Sequence, residues 1–90
     1  MAELSVAELA QAKAAVGALL EGLGLSAYLF AVEPREGAWA VIVECATDSG
    51  WQRSELQAGA ELLGASLRDP AARAALLDQW RAHLAACKTD

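Results

Sequence analysis

Between Ser26 and Cys45 the side chains alternate twice, and only Pro34-Arg35-Glu36-Gly37 interrupts them. In the first run Tyr28, Phe30 and Val32 point one way and Ala27, Leu29 and Ala31 the other. In the second, Trp39, Val41, Val43 and Cys45 share one side, with Ala40, Ile42 and Glu44 opposite. Proline sets φ on entry to the turn and glycine eases the exit, so the pattern predicts an antiparallel hairpin. With Glu33 opposite Ala38, Val32 falls opposite Trp39, Phe30 opposite Val41 and Tyr28 opposite Val43, which gathers the large side chains on one face. The other face, with Leu29, Ala31, Ala40 and Ile42, is smaller but still apolar. A two-stranded ribbon greasy on both sides is marginal alone in water and leaves both edges unpaired.

The rest of the chain reads as helix. Ser5 and Glu8 form a capping-box pattern, Leu4 and Leu9 stand at hydrophobic-staple spacing, and a helix is expected over 6–21. Leu9, Ala12, Val16, Leu20 and Leu23 make its apolar stripe, Ala7, Ala14 and Ala18 its back, and Gly22 and Gly24 its end. Residues 46–53 read as a polar loop, and Ser54 with Gln57 as a second capping box opening a helix over 55–67. Asp69-Pro70 reads as an N-cap followed by a proline at the first helical position, opening a third helix over 70–87 with Leu77, Trp80, Leu84 and Cys87 on its stripe. Residues 88–90 are expected to fray. The expected fold is a single α+β domain over 1–90, ordered α-β-β-α-α, its hairpin packed by helices and completed by dimerisation.

Composition narrows the function classes. The 90 residues carry a net charge of −5, with their five arginines scattered, which disfavours binding to a phosphate backbone. Twenty-two alanines favour helices with small-residue surfaces. The amino terminus, MAELSVAEL, carries acids where a secretory signal has basic residues, and the longest apolar run, Ala38 to Val43, is too short to span a membrane. A cytoplasmic protein is expected, with no membrane or nucleic-acid partner. Two cysteines make no disulfide framework, so both read as free thiols.

No group of residues reads as catalytic, and no enzyme, cofactor or metal is expected. Cys45, His83 and Cys87 could supply three ligands or a thiol with its base, but zinc would lack a fourth ligand, and Cys45 lies on the apolar Trp39 face, where burial leaves a thiol inert. The glycines lack the strand-loop-helix setting of a phosphate cradle. Trp51 lies outside the alternation and reads either as a plug for the end of the core or as an exposed anchor. The leading expectation is therefore a protein-interaction module, an adaptor, chaperone-like or accessory subunit and homodimer, working through Trp51, Leu29, Ile42, Ala31 and Ala40. The alternative is a small-ligand, thiol or metal site built from Cys45, His83 and Cys87.

Overall fold

The computed structural model describes residues 6–89. It is an α+β domain with a three-stranded antiparallel sheet and three helices: α1 (Val6–Leu23), β1 (Tyr28–Arg35), β2 (Ala38–Thr47), β3 (Gly50–Gly59), α2 (Ala60–Ala65) and α3 (Pro70–His83), with strand order β1-β2-β3. The order is thus α-β-β-β-α-α, one strand more than the alternation indicated. Leu4 and Ser5, the outer halves of the expected staple and capping box, lie outside the described residues, as does Asp90.

The first hairpin keeps its expected faces but shifts by two residues. Arg35 pairs with Ala38, Val32 with Val41, Phe30 with Val43 and Tyr28 with Cys45. The turn is Glu36-Gly37 alone, with φ of 50° and 79°. Two positive φ values in a two-residue loop match the right-handed twist of the flanking strands, the commonest way to close a hairpin. A shift of two preserves the pleat, so every side chain stays on its assigned face.

The expected loop over 46–53 and the start of the expected second helix are instead β3. Thr47 faces Gly50 across a tight turn, in which Thr47 Oγ1 accepts from the Ser49 N–H and donates to the Gly50 carbonyl, while Gly50 takes φ 133°. Glu55, Leu56, Gln57 and Ala58 are good helix formers, but the inner edge of β2 offers backbone groups from Trp39 to Thr47 that need partners, and tertiary pairing outweighs a weak local propensity. Ser54 and Gln57 therefore cap nothing. The helix that follows is only Ala60–Ala65. Late in the expected 55–67 helix, Leu63 is buried and Leu67 exposed.

α3 starts as expected: the Asp69 carboxylate accepts from the Ala71 N–H at 3.0 Å and Pro70 occupies the first turn. It ends at His83, and Leu84 and Cys87 reach the core from the segment beyond it. That segment does not fray through 88–89. The Ser26 N–H donates to the Lys88 carbonyl, the Lys88 N–H donates to the Ala46 carbonyl, and Leu25 bridges Thr89. Cys87 is bonded to Cys45, with Cα atoms 5.6 Å apart, so the two free thiols expected from the sequence are a disulfide. The pairing of Cys45 with the sheet's inner face and the return of the C-terminal segment beneath it bring the two sulfurs together.

All three helices lie on one side of the sheet. Val16, Leu19 and Leu20 from α1, Leu63 from α2, and Leu76 and Trp80 from α3 pack against Trp39, Val41, Val43, Cys45 and Leu56. The exposed Ala7, Ala14 and Ala18 form the back of α1, as the periodicity indicates.

Candidate interaction surface

Among the described residues no helix packs on the opposite face of the sheet. Register alone assigns its rows: Leu29, Glu44 and Arg53 in one, Ala31, Ile42 and Glu55 in the next, Glu33, Ala40 and Gln57 in a third, with Ala46 and Trp51 side by side near the second turn. Trp51 is thus neither a loop plug nor a stray side chain. It stands on β3, and the sheet brings it to the face that carries Leu29, Ala31, Ala40 and Ile42, so all five residues singled out in the sequence share one surface. The signal available for this placement was the run Gln52, Ser54, Leu56, Ala58 against Trp51, Arg53, Glu55, Gln57, an alternation masked by its polar content.

One end of the face carries an ion pair that spans the sheet, and the other carries two exposed large apolar side chains. Arg35, on β1, reaches Glu55 on β3 at 3.0 Å and Glu33 at 3.8 Å. To do so its side chain crosses β2, where Ala40 and Ile42 stand; both are buried, Ile42 to 8% exposure. A long aliphatic stem shields apolar surface in this way while its guanidinium stays in water. The premise of a ribbon exposed on both sides is corrected here: β3 pairs one edge of the hairpin, and Ile42 is shielded by its own chain. At the other end Leu29, on β1, is 65% exposed and Trp51, on β3, 62%, with Ala27 and Ala31 exposed beside Leu29 and with Glu44 and Arg53 exposed between the two. A large indole held rigidly by a strand and left in water is the kind of anchor that dominates binding energy when a partner covers it.

The other candidate set does not come together as ligands. Cys45 and Cys87 are joined through their sulfurs, and a disulfide offers no thiolate to a metal or a substrate. His83 is exposed at the end of α3, lining a groove with Glu55, Gln57, Gln79 and Trp80. Among the described residues no group of three His, Cys, Asp or Glu side chains is placed to hold a metal ion. Among the described residues no helix is long and apolar enough to cross a membrane.

No family model, curated protein or solved structure matches the chain.

Proposed function

We propose that this domain is a protein-interaction module, an adaptor, chaperone-like or accessory subunit, that binds a protein partner on the open face of its sheet and acts as a homodimer. The role is one of binding rather than catalysis, and calls on no cofactor. The observation that carries the reading is the asymmetry of the sheet: three helices bury one face, while Trp51 and Leu29 stand in solvent on the other. Exposed Trp51 and Leu29 among Glu44, Arg53 and the Arg35–Glu55 pair offer a partner apolar anchors within polar surroundings, the usual anatomy of a protein interface.

Trp51→Ala and Leu29→Asp test this reading. Proteins retained from the native host by the wild-type domain are expected to include one that either variant loses, with the variants' circular dichroism unchanged. Equal retention by both folded variants refutes the surface.

The cytoplasmic placement proposed from the sequence and the Cys45–Cys87 bond make opposite predictions, since structural disulfides persist in oxidising compartments. Two thiols labelled by maleimide after the host is quenched in acid and the protein denatured support the cytoplasm, since both cysteines are buried in the fold. None supports an oxidising compartment.

A further inference from the structure

The free edge of β1 has features that select a second copy of the same strand. The Ala46 N–H donates to the Ala27 carbonyl, which fixes the phase of the ladder: Leu29, Ala31, Glu33 and Arg35 turn their backbone groups toward β2. Tyr28, Phe30 and Val32 therefore turn theirs outward, and among the described residues no backbone bond from outside the sheet reaches them. Pro34, next in this phase, has no N–H to offer and ends the usable edge. Residues 22–32 contain no charge, so copies that each carry −5 can approach there with the least repulsion. The free edge of β3, by contrast, carries Arg53 and Glu55, charges of the kind that guard an edge against pairing.

α1 lies over this edge and supplies the second observation. Phe30 is 37% exposed, and its Cζ lies 3.7 Å from where a Cβ on Gly17 would stand. That spacing is ordinary contact, so the monomer has room for alanine at 17, yet the chain keeps a glycine in mid-helix, where it is destabilising. At 100° per residue Lys13, Gly17 and Glu21 form one stripe. Lys13 and Glu21 are exposed and make no ion pair among the described residues.

We propose that β1 pairs antiparallel with β1 of a second copy about a two-fold axis at Phe30. This names the contact for the homodimer proposed above and rests on that part of the reading. Tyr28 then faces Val32 of the other copy, and the two three-stranded sheets become one of six strands. The same axis sets the two α1 helices antiparallel across Gly17, where the missing side chains allow close approach, and places Lys13 of each copy against Glu21 of the other. On the far side of the sheet Leu29 comes beside Ala31 of the second copy, so two apolar patches merge into one binding face.

The test is a charge swap read by sedimentation equilibrium at low salt over a micromolar series. Wild-type protein is expected to be dimeric. Lys13→Glu and Glu21→Lys each set like charges together twice per dimer and are expected to weaken association about tenfold. The two variants mixed together restore both pairs and are expected to associate as a heterodimer at near wild-type strength, as is the Lys13→Glu/Glu21→Lys double variant alone. Both positions are exposed, and circular dichroism checks that each variant is folded. A dimer indifferent to every swap overturns this contact and leaves homodimerisation standing; a monomer throughout overturns both. Neither result touches partner capture through Trp51, which lies on β3, away from this edge.

Discussion

The two faces of the sheet are built from the same strands and differ in what covers them. On the inner face Trp39, Val41, Val43, Cys45 and Leu56 meet three helices and are closed off from water. On the outer face Ala40 and Ile42 are sheltered by one arginine and its neighbours, and beyond them Leu29 and Trp51 are left open. Apolar character alone therefore does not mark a core. What separates the two surfaces is that all three described helices pack on one of them. Isolated exposed apolar residues are ordinary, but a tryptophan and a leucine held on the same rigid face, with charged Glu44 and Arg53 between them, are placed to serve as separate anchors for one partner.

This division of labour can be broken by measurement, beginning where the largest effect is expected. Replacing both Cys45 and Cys87 by alanine releases a loop with a sequence separation of 42, and chemical denaturation is expected to show a loss of about 4 kcal/mol. Leu76→Ala, on the inner side, opens a cavity among α3, α1 and the sheet and should cost about 3 kcal/mol in the same assay. Ile42→Ala sharpens the contrast, because the residue is buried but lies on the outer face under a thinner cover; about 1–2 kcal/mol is expected. Arg35→Ala removes an exposed ion pair and part of that cover, and thermal melting should register less than about 1 kcal/mol. Smallest of all, Trp51→Ala should change stability by no more than about 0.5 kcal/mol while removing the partner. If Trp51→Ala instead costs as much as Leu76→Ala, the two faces do not differ in the way described.

Much of this arrangement is legible in the sequence because it depends on period. The alternation through 26–45 assigns every hairpin side chain to its observed face, and Asp69-Pro70 starts α3 where capping chemistry places it. Register is less legible. A two-residue slip leaves the pleat unchanged, and only the preference for Glu36-Gly37 with positive φ decides it. β3 is hidden for a different reason: Ser54, Glu55 and Gln57 carry local helix signals, and the demand that overrides them comes from unpaired groups on β2, a tertiary effect. The disulfide depends on the C-terminal segment turning back under β2 after α3 ends at His83, and a stripe drawn as one continuous helix to Cys87 points elsewhere. Trp51 became interpretable only once β3 gave it a face.

Tryptophan quenching by iodide tests the open face most directly, because Trp39 and Trp80 are closed within the core and Trp51 alone stands in water. Wild-type protein should show one accessible indole of three, the Trp51→Ala variant none, and the dimer formed along β1 should leave that indole as accessible as before. A wild-type protein whose fluorescence resists iodide as fully as the variant's would mean that the outer face is already covered, and would contradict the account.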